Sequence, residues 1–467
     1  MSVSKESARN RVTRRDALRW LATGVAASVA GCGTPDSDAT QTSPGTNGPA
    51  TGAPTTGDAA TASPANDLDR SAFSTVVDFG ELDASDGTRS IVPILEEKVT
   101  DDSLVRLPPG RYLMTGPWNV SDVDNVAVVG DDATIVVPPG FSDNLFSPGP
   151  GNTSGFRLEG LTFDFTHRNT GGRVLHAKVD DGLVVRDISV RGTLDVVDNI
   201  MRVDVTDPDG SALVERLHLP DGAVAGTGAS GVLVGGSNRG DIRFADCRIQ
   251  GFPDNALYAS PDEGTIEVFG GVYMNSGISN VRIRGDSHVR GVHVRCDRAP
   301  EGFPNMRGIR LRGGSNVLVE DCTVEMLDVT YSDGAITVSS QTEGATIRNT
   351  HVRTDADRVT GLRAKPLVRK SNPDAVLDVE NVTFTGTARD GAAVQVTERD
   401  SVTIHNVCIQ ESGESRNGIG LLDASDVRIA DSYVDVPGVP IHAVDSAYIT
   451  SNVETSNSGD LPGYCQG

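Results

Sequence analysis

Val317-Leu318-Val319-Glu320-Asp321-Cys322-Thr323-Val324 places apolar residues at its first, third and eighth positions and an aspartate at its fifth. Ile242-x-Phe244-x-Asp246-x-x-Ile249 has the same frame, as do Ala345-x-Ile347-x-Asn349-x-x-Val352 and Leu377-x-Val379-x-Asn381-x-x-Phe384. Val402-x-Ile404-x-Asn406-x-x-Ile409 and Val427-x-Ile429-x-Asp431-x-x-Val434 continue it. Phe156-x-Leu158-x-Gly160-x-x-Phe163 and Leu183-x-Val185-x-Asp187-x-x-Val190 come before. Apolar residues two apart mark a strand with one buried face. Asn, Asp and Gly tolerate left-handed backbone, so the fifth position reads as a tight bend. From Asp321 the bends fall at 349, 381, 406 and 431, spacings of 28, 32, 25 and 25 residues.

Each copy has another strand upstream, often opened by Gly. Examples are Ser279-Asn280-Val281-Arg282-Ile283-Arg284-Gly285, Gly308-Ile309-Arg310-Leu311-Arg312-Gly313, Gly334-Ala335-Ile336-Thr337-Val338 and Gly418-Ile419-Gly420-Leu421. Such a unit cannot bury its own apolar face and must stack on its neighbours. About thirteen copies fit between Asn125 and the C-terminus, with irregular ones near Leu213 and Val289. At ~4.8 Å per strand they make a rod on the order of 60 Å long. A propeller would need a period of ~40–45 residues and aromatic signatures, and the chain has neither.

This rung pattern resembles the right-handed parallel β-helix proteins of the pectate-lyase and polygalacturonase type. Val77-Asp78-Phe79-Gly80, a short helical stretch at 91–99 and Leu107-Pro108-Pro109-Gly110-Arg111-Tyr112 are similar to that superfamily's N-terminal cap and first strand. The resemblance covers about residues 74–455. It implies an all-β fold at 71–467: a single-stranded right-handed parallel β-helix of about 13 rungs with a short capping helix. Activity does not follow, because many chemistries share the scaffold.

Composition limits the partners. The 467 residues carry 64 acids and 41 bases, a formal charge of −23. Bulk attraction to nucleic acid or another polyanion is excluded. Lysine is confined to Lys5, Lys98, Lys178, Lys365 and Lys370, so 36 of the 41 bases are Arg. An acidic, lysine-poor chain resembles proteins of extreme halophiles.

Thr13-Arg14-Arg15-Asp16-Ala17-Leu18-Arg19 precedes an apolar run at 20–30. That run is shorter than the ~20 residues needed to span a bilayer and reads as a signal peptide. Its paired arginines resemble a twin-arginine signal. Val29-Ala30-Gly31-Cys32 resembles a lipobox, which implies cleavage after residue 31 and lipidation of Cys32. Removing 1–31 takes away six bases and two acids, leaving a charge of about −27. Residues 32–70 are rich in Thr, Ser, Pro, Gly and Asp with little to bury, and read as a disordered tether. The expected location is the outer face of the cytoplasmic membrane, reached through the lipid anchor alone, as a monomer.

The resemblance places a substrate trough along the Gly-led strands. The polygalacturonase branch carries Asn-Thr-Asp, Gly-Asp-Asp, Gly-His-Gly and Arg-Ile-Lys signatures. Only Gly130-Asp131-Asp132 occurs here, at a bend rather than before a Gly-led strand, so a two-acid hydrolase of that kind is disfavoured. Alternation puts His176/Lys178, Arg202/Asp204, Leu233/Gly235, Tyr258/Ser260, Arg282/Arg284, Arg310/Arg312, Thr337/Ser339, Arg363/Lys365 and Gln395/Thr397 outward in successive copies. Four arginines in two adjacent rungs repel one another. Either loop carboxylates neutralise them, or they form a site for an anionic glycan, a uronate or sulfated polymer. Arg284, Arg312, Arg363 and Lys365 are then binding residues, because Arg offers a two-pronged bond to carboxylate or sulfate.

β-Elimination suits this inventory better than hydrolysis. It needs a cation to neutralise the uronate carboxylate, for which Arg282 and Arg310 are candidates, and a base for the C5 proton. Tyr258 or an Arg would be that base; Tyr258 could equally stack sugar rings. Asp254, Asp333 and Asp390 are nearby acids. Asp254 and Asp333 lie three rungs apart, ~14 Å by strand spacing, beyond the ~6.5–9.5 Å of an inverting pair. A hydrolase with a non-standard acid pair and a non-catalytic glycan-binding rod remain as alternatives.

Gly302-Phe303-Pro304-Asn305 echoes Gly251-Phe252-Pro253-Asp254. Asp180-Asp181-Gly182 and Asp207-Pro208-Asp209-Gly210 are either a calcium site or acidic turns. No zinc spacing, copper cluster or other cofactor motif occurs. Cys247, Cys296, Cys322, Cys408 and Cys465 leave an odd count without a Cys-x-x-Cys, and Cys247 and Cys322 share a packing position beside the bend.

Overall fold

The computed structural model describes residue 68, residues 70–368, residues 375–456 and residue 465. The signal, Cys32 and nearly all of the tether lie outside these described residues. The Gly-led strands form one 13-stranded sheet, and the strands flanking each bend form a 26-stranded one. Successive rungs pair in parallel, as in Val281↔Ile309, Ile309↔Ile336, Ile336↔Leu362 and Leu362↔Val394. Parallel crossovers of this kind take the right hand. The rod is a right-handed parallel β-helix.

Register explains the core. Val281, Ile283, Ile309, Leu311, Ile336, Val338, Leu362 and Ala364 are fully buried. They belong to one apolar cluster that runs from Val77 to Val436. A one-residue slip in any rung would turn its arginines inward, so burial fixes the register.

The bends behave as the sequence frame requires. Asp187, Asp246, Asp321, Asn349, Asn381, Asn406, Asp431 and Asn452 all have φ between 48° and 54°. Their side chains add a ladder: Asn381 Nδ2 donates to Asn349 Oδ1 at 3.1 Å, and Asn406 Nδ2 to Asn381 Oδ1 at 2.6 Å. The irregular copy near Leu213 has an arginine at this position. Arg216 sits at φ 51° and donates from Nε and Nη2 to Asp187, at 2.6 and 2.8 Å. The ion pair thus replaces the amide rung. Near Val289 the bend is Gly291, at φ 65°.

At the N-terminal end, helix α1 (Val92–Lys98) buries Val92, Ile94 and Leu95 against the same core. Gly130-Asp131-Asp132 lies where the strand Val126–Val136 shifts register, with Asp132 at φ 50°. Cys408 and Cys465 form a disulfide, a pairing the sequence left open. Cys247, Cys296 and Cys322 are free and buried. Among the described residues, no helix is long and apolar enough to cross a membrane.

Candidate functional site

Five Gly-led strands build the site: β1 (Asn255–Tyr258), β2 (Ser279–Ile283), β3 (Arg307–Leu311), β4 (Ile336–Val338) and β5 (Leu362–Ala364). Tyr258, Arg282, Arg310, Thr337 and Arg363 stand in register on consecutive strands. They alternate with buried apolar residues, so their side chains leave the core on one face.

The cations on this face fall into two groups. Arg282 lies over the ring of Tyr258, with Cζ 3.7 Å from the centroid, and its Nε donates to Ser260 Oγ at 2.9 Å. Among the described residues Arg310 makes only a long hydrogen bond, 3.5 Å from Nε to Ser339 Oγ. Neither forms an ion pair among the described residues. Arg312 bonds the neutral Gln341 side chain. Burial pushes the Arg310 pKa down to about 10; the charges of Arg307, Arg282 and Arg312 push the same way, and Asp333 opposes them. Burial also lowers Arg282; Tyr258 and Asp254 oppose this, while Arg312 adds to it. A guanidinium keeps its proton at neutral pH. The downward pushes come first from burial, and the crowding of like charges adds to it.

The remaining cations are closed by carboxylates. Arg284 pairs with Asp262. Asp333 gathers three: Arg307 Nε at 3.0 Å, Lys365 Nζ at 2.6 Å and Arg363 Nη1 at 3.5 Å. Burial alone would raise the Asp333 pKa, but Lys365 and Arg307 outweigh it and hold the carboxyl well below the usual range. Tyr331 Oη donates to Asp333 Oδ1 at 3.3 Å, the oxygen that Arg363 also approaches, while Arg307 and Lys365 hold Oδ2.

Asp254 lies beside Arg282 and accepts from Ser230 Oγ at 2.9 Å. It is three rungs from Asp333, as the register counts. The two echoing loops share a buried phenylalanine, Phe252 and Phe303, but their polar ends differ: Asp254 accepts from Ser230 on the preceding rung, and Asn305 Oδ1 accepts from the Asp333 amide on the following one, at 3.0 Å. Asp390 lies further along, 3.7 Å from Arg358.

Several contributors escape the outward-pair rule. Arg307 occupies an inward position, two residues before Ile309, and is buried. An arginine in an apolar column was the available signal. Arg399 is also buried and lacks an ion-pair partner among the described residues; burial lowers it to about 10. It donates to the carbonyls of Ser339, Lys365 and Thr342, at 2.8, 2.7 and 2.9 Å. It thereby fixes the backbone at two site residues. Thr337 Oγ1, between Arg310 and Arg363, is buried without a hydrogen bond.

The possible calcium turns are occupied by their own hydrogen bonds. Asp181 accepts from the Ser211 amide at 2.7 Å, Asp180 from Thr206 Oγ1 at 2.6 Å and Asp207 from the Asp209 amide at 3.0 Å. Among the described residues, no three His, Cys, Asp or Glu side chains converge to hold a metal ion.

Fold and trough together define a parallel β-helix protein with an arginine-bearing face. No family model matches the chain, and no curated protein matches its sequence. Among solved structures it is similar to the surface adhesin PfbA of Streptococcus pneumoniae, at 12% identity and TM-score 0.44, covering 83% of this chain and 95% of that one. The A-module of a mannuronan C-5 epimerase from Azotobacter vinelandii gives 15% and 0.42, covering 81% and 99%. An exopolygalacturonase from Thermotoga maritima gives 13% and 0.34, covering 82% and 92%. These are likenesses of fold.

Proposed function

We propose that the chain is an exported β-helix protein that takes an acidic polysaccharide, uronic or sulfated, along the trough. The carrying observation is the pair Arg282 and Arg310: half-buried, adjacent, mutually repelling and without an ion-pair partner among the described residues. A carboxylate or sulfate would supply the missing counter-charge through short charge-assisted bonds. Such contacts survive molar salt, where the Debye length is ~3 Å and long-range steering is lost. Arg312 would extend the contact, with Arg284, Arg363 and Lys365 flanking it.

The reaction that suits the site is β-elimination. Arg282 and Arg310 neutralise the uronate carboxylate, which makes the C5 proton easier to remove. Tyr258, as phenolate, takes that proton. The C5–H electrons form the C4=C5 double bond, the C4–O bond breaks, and the phenol returns its proton to the leaving oxygen. The guanidinium of Arg282, over the Tyr258 ring, supports this role. Asp333, held ionised by Lys365 and Arg307, has no proton to donate as a general acid, and serves this reading by organising the wall. Asp254 tempers the charge on Arg282.

Incubation with a panel of uronic polymers tests this. An unsaturated, ultraviolet-absorbing product is expected from at least one polymer, and none from Tyr258→Phe. Binding without product from any of them would leave a non-catalytic glycan-binding rod. Export is supported by the leader and by the Cys408–Cys465 disulfide, which suits an oxidising compartment. Cys32→Ser should free the protein from the membrane or leave it unprocessed; unchanged retention would end the lipid-anchor proposal.

A further inference from the structure

Four loops on one flank of the trough sheet enclose a cleft of about 660 Å³. They are the loops that lead into β4, β5 and the next two strands, β6 (Ala392–Thr397) and β7 (Asn417–Leu422). The volume lies within the range of small-molecule sites. The cleft joins the trough through Tyr331, a residue 55% exposed whose hydroxyl donates to Asp333.

Its charge differs from that of the trough. Arg389 is paired with Asp357 at 2.5 Å, and Arg358 lies 3.7 Å from Asp390. Glu414 adds a further acid to the lining. Two bases against three acids leave this wall formally at −1. A second uronate would meet a net negative wall, in which Arg389 is closed by Asp357 and only the loosely paired, exposed Arg358 could answer it. A neutral sugar meets carboxylate acceptors, guanidinium donors and an aromatic face for the C–H side of its ring. Beneath it, buried Arg416 ties two of the loops together by donating to the carbonyls of Val359 and Asp390, at 2.7 and 2.9 Å.

We infer that this cleft is a second subsite, selective for a neutral sugar unit, and that the ligand is a mixed polymer with acidic and neutral residues. The inference rests on the acidic-glycan reading only for the unit bound in the trough. A homopolyuronate would fill the trough and leave the cleft empty.

Calorimetry on the full chain with three probes tests it: a galacturonate hexamer, a hyaluronan hexamer alternating uronate with a neutral N-acetylated sugar, and a neutral N-acetylglucosamine tetramer. Wild type should prefer the alternating hexamer by about tenfold, the size of one well-placed contact. The neutral tetramer should bind weakly. Tyr331→Ala should bring the preference ratio close to one and abolish tetramer binding. Tyr331→Phe, which keeps the ring and loses the Asp333 contact, should retain both. A wild-type ratio near one, or a ratio unchanged in Tyr331→Ala, overturns the cleft assignment. Tetramer binding that depends on Tyr331, with neither acidic probe bound, would sustain the cleft and overturn the trough reading instead.

Discussion

Arg416 and Arg310 belong to the same rod, four rungs apart by strand register. Arg416 is fully buried with Glu411, at 2.6 Å, and also bonds Thr354 Oγ1 and two carbonyls. Every direction of its guanidinium is answered. Arg310 is half-buried among other cations, with one long contact to a serine. The chain can close a buried arginine when the fold needs it. At Arg282 and Arg310 it leaves the charge open, on the face where Tyr258 and an unsatisfied Thr337 hydroxyl also lie. The difference separates arginines that hold the rod together from the pair that the proposal assigns to a ligand.

The comparison breaks most directly at the open pair. Arg282→Ala with Arg310→Ala should remove detectable binding of an acidic glycan. Its melting temperature should stay level or rise, since two repelling cations are lost. A clear fall in melting temperature with retained binding would make both residues structural. At the closed site the opposite pattern is expected. Arg416→Met strands the buried Glu411 carboxylate and should cost about 3–5 kcal/mol of stability in denaturant titrations. Folded Arg416→Met protein should still bind a homopolyuronate.

Asp333 is the intermediate case, a carboxylate closing three cations at the trough wall. Asp333→Asn should cost about 2–3 kcal/mol, less than the Arg416 change because Arg363 and Lys365 are partly solvated. The pH dependence has a definite sign. The folded-state pKa is depressed, so the stabilisation is present above the ordinary unfolded value near 4. It is lost only as pH falls through the depressed folded value. The gap between wild type and Asp333→Asn should be flat at neutral pH and close under acid. A gap that persists unchanged in strong acid would mean that the ion pairs contribute nothing.

The rungs were legible because two constraints repeat in every copy. Alternation fixes which residues face inward, and the left-handed bend admits few residue types. Arg216 and Ser287 blurred that signal: the ion pair of Arg216 with Asp187 replaces an amide ladder, and Ser287 is a buried polar residue where the frame calls for an apolar one. The outward column from Tyr258 to Arg363 followed from alternation alone. What alternation cannot report is where loops return. Asp262 closing Arg284, and Asp333 closing Arg307, Arg363 and Lys365, are contacts across 22 to 32 residues. No local pattern distinguishes a closed arginine from an open one. The Cys408–Cys465 bridge, spanning 57 residues, was hidden for the same reason.

The smallest expected effect tests whether openness itself governs binding. Arg284 stands beside Arg282 and differs from it chiefly in its partner, Asp262. That aspartate is 82% exposed, so breaking the pair should leave the melting temperature almost unchanged. Asp262→Asn nevertheless removes one negative charge at the trough and releases a cation. Affinity for an acidic glycan should rise by a few-fold at low salt, on the scale of one exposed charge contact. The gain should shrink as salt is raised, because the freed side chain is exposed and its charge is screened. Binding through Arg282 and Arg310, less accessible to solvent, should decline less over the same range. Unchanged affinity in Asp262→Asn at low salt would show that Arg284 lies outside the binding face. A salt-independent gain would instead place it in direct, desolvated contact with the ligand.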